Sequence, residues 1–275
     1  MEKEVFDINF CSFTYEQKQS IATLFKYTFQ TNDDFILKQY DFFKDWFCRE
    51  DTNNYITPFL RREHIVPQTI DKLFLKKYNS KEYWVGVDYP ILLTKKSNKK
   101  NVLIVAEDPL RNFNDDLLIK SKEHVLLSTP FATHLSNCRK ALKEYWGFHN
   151  YLLEAGYNVY VTDIHKLWLK KERNNKKEVL PSDLIENFKK IFQFEMEFIK
   201  PELVVTYGNT AKNALNEMRL GLDEKVLHFL HPSNTANGSW KKLFLSLKSD
   251  NIQCTSENKI DYMSKMIKQR SNNHL

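Results

Sequence analysis

Residues 102–110 read VLIVAEDPL, five apolar residues followed directly by two carboxylates and a proline. Three later segments have a similar form: VYVT at 159–162, LVVT at 203–206 and VLHFL at 226–230 are short aliphatic runs that end at polar residues. Runs of this kind, without alternation, are typical of strands buried on both faces of a parallel sheet. The sequence therefore predicts four parallel strands.

Amphipathic helical patterns separate these strands. They lie at residues 132–145, 149–155, 182–199 and 210–218. The alternation of strands and helices predicts an α/β protein with three layers, α/β/α, around a central parallel four-stranded sheet. Ligands of such folds bind outside the carboxyl ends of the strands, so the loops after the four strands are the expected site.

The first hundred residues show a different pattern. Apolar residues recur every three or four positions in 13–29 and 35–46, which predicts helices, and a lysine-rich turn at 95–100 precedes the first predicted strand. We therefore predict a mainly helical N-terminal extension at 1–100, packed on the core, and an α/β domain at 101–275.

Composition and charge narrow the class of protein. Hydrophobic residues make up 42% of the 275 residues and charged residues 28%, a balance typical of globular proteins. No run approaches the roughly 18 apolar residues of a membrane span, and the N-terminus has no signal-peptide pattern, so we expect a cytoplasmic protein without membrane contact. Four scattered cysteines show no metal-ligand spacing, so neither metal nor cofactor is expected. The net charge of +6 suits a polyanionic partner, and no obligate protein partner is evident.

Polar residues that suit acid–base chemistry follow each predicted strand. In chain order they are Glu107 and Asp108, Asp163 and His165, Asn209 and Thr210, and His231 and Ser233. Because parallel strands end at the same edge of a sheet, these carboxylates, imidazoles and hydroxyls are expected to gather there. An acid–base or hydrolytic site needs this combination of groups.

In this order the segments resemble the motifs of the uracil-DNA glycosylase superfamily. AEDPL at 106–110 is similar to the family's first motif, HPSNTAN at 231–237 to its second, and VYVTDIHK at 159–166 to the strand that carries the base-reading residue. LVVTYGNTAKNAL at 203–215 resembles the segment that leads into a helix between them. The resemblance covers about residues 101–245 and implies a glycosylase that flips a base out of DNA and hydrolyses its N-glycosidic bond.

The resemblance also implies roles for individual residues. Asp108 would orient water and stabilise the oxocarbenium-like sugar, and His231 would donate a hydrogen bond to the pyrimidine O2 as the base leaves. Phe131 would stack on the extruded base, in a pocket that Glu107 and Leu110 also line. The expected DNA contacts are Ser233, Asn234, Asn237, Trp240, Lys241 and Lys166, with Trp240 in a loop that could fill the vacated stack. Structural roles compete with these: core packing for Phe131 and Trp240, and a solvated basic loop for the lysines.

Two departures from the family pattern concern the base itself. Asp163 stands where the family commonly has an asparagine, and an ionised carboxylate only accepts hydrogen bonds, which suits the exocyclic amine of cytosine better than O4 of uracil. Leu110 stands where the best-known branch has a tyrosine that crowds C5 of the pyrimidine. Together they favour a cytosine with a bulky C5 substituent, such as the glucosylated hydroxymethylcytosine of some phage genomes. Excision of that base would leave abasic sites in foreign DNA, which suggests antiphage defence.

Three alternatives stay open. The first is a repair glycosylase for uracil or damaged bases, and the second is a catalytically silent DNA-binding module. The third is a hydrolase with a triad of Ser233, His231 and Asp108. The triad is disfavoured because its His and Ser lie two residues apart across a proline, and the sequence has no G-x-S-x-G elbow. Since no lysine is required as a Schiff-base nucleophile, we expect a monofunctional enzyme that does not cleave the strand.

Overall fold

The computed structural model describes the chain in six segments, which are residues 7–49, 59–107, 123–172, 177–218, 225–247 and 253–273. Its strands are β1 (Asn9–Phe10), β2 (Phe29–Gln30), β3 (Phe59–Arg61), β4 (Val66–Pro67), β5 (Tyr83–Asp88), β6 (Ile91–Thr94), β7 (Lys100–Ala106), β8 (His124–Ser128), β9 (Tyr157–Asp163), β10 (Leu167–Lys171), β11 (Leu203–Tyr207) and β12 (Val226–Phe229). Its α-helices are α1 (Tyr15–Thr28), α2 (Asp33–Phe47), α3 (Lys72–Tyr78), α4 (Ser136–Ala141), α5 (Lys143–Glu154), α6 (Ser182–Ile199), α7 (Gly208–Glu217), α8 (Asn237–Ser246) and α9 (Ser256–Asn273).

The central sheet has six strands in the order β1-β6-β9-β7-β11-β12. The four strands β9, β7, β11 and β12 run parallel, and they are the four strands that the sequence predicts. Side chains at Val102–Val105 and Val159–Val161 are fully buried, as expected for strands covered on both faces. The predicted α/β fold with a central parallel sheet is therefore confirmed.

The region before residue 100 is not only helical. The predicted helices at 13–29 and 35–46 are present as α1 and α2, but β6 and β1 extend the central sheet as antiparallel strands. A second sheet has the order β10-β5-β8-β3. The predicted four-stranded sheet thus has two further strands, because the aliphatic run at 91–94 covers the open edge of β9. The division at residue 100 stays a prediction, and strands from both of its sides pair with one another.

Polar caps set where the N-terminal helices begin. The Thr14 side chain accepts from the backbone N–H of Gln17, whose side chain accepts from Thr14 in return, a reciprocal capping box at the start of α1. Asn32 caps α2 through a bond from the Asp34 N–H, and Asp71 caps α3. These caps satisfy N–H groups that have no partner inside the helix.

No helix in the described segments is long and apolar enough to cross a bilayer.

The strand order places a crevice at one edge of the central sheet. Strand β7 lies between β9 and β11, so the chain leaves β7 first towards one side of the sheet and later returns to the other. Such a switch in strand order opens a crevice outside the carboxyl ends of the strands. Ala106 at the end of β7 pairs in register with Asp163 at the end of β9, so these two ends are level.

Candidate active site

Three of the predicted site residues lie at this carboxyl edge. Glu107 follows β7 directly, Asp163 is the last residue of β9, and His231 comes two residues after β12. The backbone N–H of His165 donates to the Glu107 carbonyl at 3.0 Å, which joins the loops that leave β7 and β9. The carboxylates of the first two strands and the imidazole of the last therefore share one region. Asp108 and Leu110 lie outside the described residues.

Hydrogen bonds at Nδ1 define the tautomer of His231. The Ser233 backbone N–H donates to Nδ1 at 3.4 Å, and the hydroxyls of Ser233 and Tyr145 lie 2.8 Å and 3.2 Å from the same nitrogen. A backbone N–H can only donate, so Nδ1 carries the lone pair and the ring proton lies on Nε2. Among the described residues Nε2 has no hydrogen-bond partner, so its N–H is left for a ligand.

The His231 imidazole is neutral at neutral pH. Burial lowers its pKa below the ordinary value, and the positive charge of Lys259 lowers it further. The negative charges of Glu107 and Glu144 raise the pKa, but burial outweighs them. Lys259, on α9, is itself buried, and its ammonium donates to the Pro232 carbonyl at 2.7 Å. The site thus presents a neutral hydrogen-bond donor, which suits the carbonyl oxygen of a departing base.

Glu107 is an ionised carboxylate at the mouth of the crevice. Burial raises its pKa, but the hydrogen bond and charge of Lys177 and a hydrogen bond from Thr210 outweigh burial and hold the pKa below its ordinary value. The Lys177 ammonium lies 2.7 Å from the Glu107 carboxylate.

Asp163 is buried at the end of β9, with 2% of its surface exposed. Its negative charge is close enough to raise the pKa of Tyr145, in addition to the larger effects of burial and of Glu144. Tyr145 in turn contacts His231. Asp163 and His231 are therefore both near Tyr145, and the base-reading role of Asp163 stays a prediction.

Lys166 does not face DNA, which corrects the prediction of a phosphate contact. Its side chain is 1% exposed and its ammonium lies 2.9 Å from the Glu195 carboxylate, which is also buried. The ammonium donates further to the Thr162 hydroxyl and, at 2.7 Å, to the Asp163 carbonyl. A buried, paired ammonium cannot reach a phosphate; instead it fixes the end of the strand that carries Asp163.

Trp240 is likewise a core residue and not a wedge that enters the duplex. It is fully buried, packed against Phe244 and Tyr262. Its indole N–H donates to the His231 carbonyl at 2.9 Å. The tryptophan therefore anchors the backbone of the histidine loop, residues 230–233 after β12, and the structure corrects its predicted contact with DNA.

The remaining predicted DNA contacts differ in exposure. Asn234 and Lys241 are exposed, whereas Ser233 and Asn237 are half-buried. The Ser233 hydroxyl is engaged with His231 and with Thr235, from whose hydroxyl it lies 2.7 Å. Asn234 and Lys241 are thus accessible to a phosphate backbone, and the contact itself stays a prediction.

Phe131 lies in a short turn with an uncommon backbone conformation. Its φ is +57° and that of Ala132 is +48°, the left-handed region that residues with a side chain rarely adopt. The Phe131 ring is half-buried and stacks on Tyr145, with 4.2 Å between ring centroids. One face of the ring is therefore already covered, and stacking on a base remains a prediction for the other.

Sequence reasoning missed Tyr145, Lys259 and Glu144, which all surround His231. Tyr145 belongs to an apolar stripe on α5 together with Phe148 and Leu152, and all three are buried. On the sequence it cannot be distinguished from a core aromatic. Only the packing of α5 against the sheet shows that its hydroxyl reaches the site.

His149 gives a prediction about acid stability. It is 1% exposed, neither ring nitrogen has a hydrogen-bond partner in the described part of the chain, and burial lowers its pKa to about 3. Unfolded histidine protonates near pH 6.5, so below that pH only the unfolded state binds the proton. We expect the free energy of unfolding to fall with pH from 6.5 towards 3, with a contribution from His149 of about 1.4 kcal/mol per pH unit.

Urea unfolding at pH 4.5 and 7 measures this contribution. His149→Phe removes the titrating group and keeps a buried ring, so the loss of stability between the two pH values should be smaller in the variant. An equal loss in both proteins would show that His149 is not the group responsible.

The parallel sheet, with carboxylates and a neutral imidazole at the carboxyl edge of its strands, defines an α/β protein whose loops carry groups suited to acid–base chemistry. The family model of the Uracil DNA glycosylase superfamily matches residues 95–249, more than half of the chain, and the chain belongs to that superfamily. Membership indicates a DNA glycosylase, a hydrolase of N-glycosidic bonds whose partner is DNA. A search of curated proteins finds no match. Within the described segments no group of three His, Cys, Asp or Glu side chains is placed to hold a metal ion.

Proposed function

We propose that this protein is a monofunctional DNA glycosylase that releases a C5-modified cytosine from phage DNA and leaves abasic sites. The observation that carries the proposal is Asp163, a buried carboxylate that ends β9 and is close enough to Tyr145 for its charge to raise the pKa of that phenol. A carboxylate at this position accepts hydrogen bonds and cannot donate them when ionised. The exocyclic amine of cytosine is a donor, whereas O4 of uracil is an acceptor.

His231 would stabilise the charge that develops on the departing base. When the bond between C1′ and the base nitrogen breaks, its electron pair goes to the base, and negative charge accumulates on the pyrimidine O2. The N–H at Nε2 is neutral and preorganised by the contacts at Nδ1. A preorganised donor of this type commonly contributes about 3–4 kcal/mol to the barrier.

Water completes the reaction at the sugar. One oxygen–carbon bond forms at C1′ as the base leaves, and the proton of the water passes to a carboxylate; the resemblance assigns this role to Asp108. No lysine is needed as a nucleophile, so the product is an abasic site and the strand stays intact.

The proposed substituent at C5 of the cytosine follows from the need to distinguish phage DNA from cellular DNA. Cellular DNA is full of unmodified cytosine, and its indiscriminate excision would be lethal. Leucine is smaller than tyrosine, so Leu110, which stands where the best-known branch of the family has a tyrosine, would leave room beside C5 if it takes the same place. A glycosylase selective for a bulky C5 group, such as a glucosylated hydroxymethyl, would attack phage DNA and spare the host.

Base release from three duplexes of one sequence tests the proposal. They carry glucosylated hydroxymethylcytosine, unmodified cytosine or uracil at one position, and alkali cleavage detects abasic sites. We expect cleavage of the first duplex alone. Uracil release without action on modified cytosine would contradict the proposed substrate, and no release from any duplex would favour a silent DNA-binding module.

Asp163→Asn tests the role of the carboxylate. The amide can donate to O4 of uracil, so the variant should lose activity on modified cytosine and gain activity on uracil. Asp41→Asn, the same exchange of a carboxylate for an amide at a side chain on α2 that is 74% exposed, is the matched control and should leave the preference unchanged. Equal selectivity in wild type and Asp163→Asn would remove Asp163 from base reading.

Repair of uracil is the second candidate, because the matching family model describes uracil DNA glycosylases. In that case Asp163 is a tolerated variant, and the uracil duplex in the assay above is the preferred substrate.

A further inference from the structure

Tyr145 lies between the ring of Phe131 and the imidazole of His231. Its ring stacks on Phe131 at 4.2 Å and meets His231 edge-on at 5.8 Å between centroids. Tyr207, at the end of β11, packs edge-on against it at 5.9 Å. Only 4% of the surface of Tyr145 is exposed. Its ring is packed among these neighbours, and its hydroxyl contacts His231 in the histidine loop.

The hydroxyl of Tyr145 contacts Nδ1 of His231, the other ring nitrogen from the Nε2 that is proposed to donate to the base. It lies 3.2 Å from Nδ1, and Ser233 hydrogen-bonds to it as well. Burial raises the pKa of Tyr145 above its ordinary value, so the phenol keeps its proton. Nδ1 already accepts from the Ser233 N–H, and the Ser233 hydroxyl lies 2.8 Å from it, so the phenol O–H can approach this nitrogen only as a further donor.

We propose that Tyr145 is a positioning residue, whose O–H donates to Nδ1 of His231 and, together with Ser233, keeps the ring proton on Nε2. The proposal rests on the proposed function in one respect, since it assigns His231 as the donor to the base. Phe131 stacks on the Tyr145 ring and holds the phenol against the histidine loop. Position 145 would therefore determine how strongly His231 donates without itself touching the base.

Several charged groups surround the imidazole, and they determine how the pKa of His231 should change when the hydroxyl of Tyr145 is removed. Glu107 and Glu144 favour the charged form of His231, whereas Lys259 disfavours it. A donor at Nδ1 also disfavours the charged form, because protonation of that nitrogen removes the lone pair it uses. Without the hydroxyl of Tyr145, the carboxylates act with less opposition and the pKa of His231 rises.

The test is ¹⁵N NMR of histidine-labelled full chain without DNA, across pH 4 to 8. Tyr145→Phe removes the hydroxyl and keeps the stacked ring. Tyr151→Phe is the matched control, because Tyr151 lies on the same helix and its hydroxyl bonds to the remote Ser264 carbonyl at 3.2 Å. Both variants are first compared with wild type by their melting temperature, which should differ little.

In wild type and Tyr151→Phe, the Nε2 resonance should be that of a protonated nitrogen and Nδ1 that of an unprotonated one. In Tyr145→Phe, we expect the pKa of His231 to rise by roughly 0.5 to 1 unit and a fraction of the other tautomer to form. The single-turnover rate of base release should fall about five- to tenfold, with DNA affinity unchanged.

An unchanged pKa and tautomer of His231 in Tyr145→Phe would overturn the proposal. The NMR result does not depend on catalysis. If wild-type protein releases no base, the proposed function fails, while the tautomer measurement still decides the role of Tyr145.

Discussion

His231→Ala should lower the rate of base release about 10²- to 10³-fold, with little effect on DNA binding. The variant removes the N–H at Nε2, whose hydrogen bond strengthens as charge accumulates on the pyrimidine O2. This hydrogen bond is stronger in the transition state than in the ground state, so the loss appears in the chemical step and not in affinity. Single-turnover kinetics on the duplex that wild type prefers measure the effect.

The matched control is His64→Ala, because the His64 side chain is 60% exposed and lies in the turn that follows β3. It should release base at the wild-type rate. A fall of less than fivefold in His231→Ala, in a variant with wild-type melting temperature, would contradict the assigned role of the imidazole.

Lys166→Met should destabilise the protein by about 3–5 kcal/mol. The substitution leaves the Glu195 carboxylate, which is 2% exposed, without its ammonium partner. Tyr160 and Thr162 still donate to this carboxylate, each at 3.0 Å, but they supply no positive charge. Urea unfolding monitored by tryptophan fluorescence measures the difference in the free energy of unfolding.

A double variant, Lys166→Met with Glu195→Gln, separates the charge from the packing. The amide oxygen still accepts from Tyr160 and Thr162, so most of the lost stability should return. Lys18→Met breaks the pair with Asp41, whose side chain is 74% exposed, and should cost less than about 1 kcal/mol. A loss of that small size in Lys166→Met would show that the buried pair does not hold the strand end.

The parallel part of the fold could be predicted because its signal is local. Each of the runs at 102–106, 159–162, 203–206 and 226–230 is aliphatic, short and bounded by polar residues, and each forms a parallel strand. The strands at 83–88 and 91–94 were missed. Their pairing with β10, β8 and β9 depends on contacts far along the chain, and the helical patterns around them dominated the interpretation.

The part of the candidate site that follows directly from the strands could also be predicted. Glu107, Asp163 and His231 meet at the carboxyl edge because the strand ends themselves meet there. Lys166 and Trp240 were misassigned because burial is a property of the folded chain: a lysine after a strand gives no sign that Glu195 lies behind it. Tyr145 was missed for the same reason, since its contact with His231 joins residues 86 positions apart.

The base that the protein removes tests the central claim most directly. Phage DNA with glucosylated hydroxymethylcytosine is incubated with purified protein, and the released bases are identified by mass spectrometry. If the carboxylate at position 163 reads the base, wild-type protein releases the modified cytosine, and the Asp163→Asn variant does not release it. Release of uracil from uracil-containing DNA, with no modified cytosine released from the phage DNA, would contradict the account.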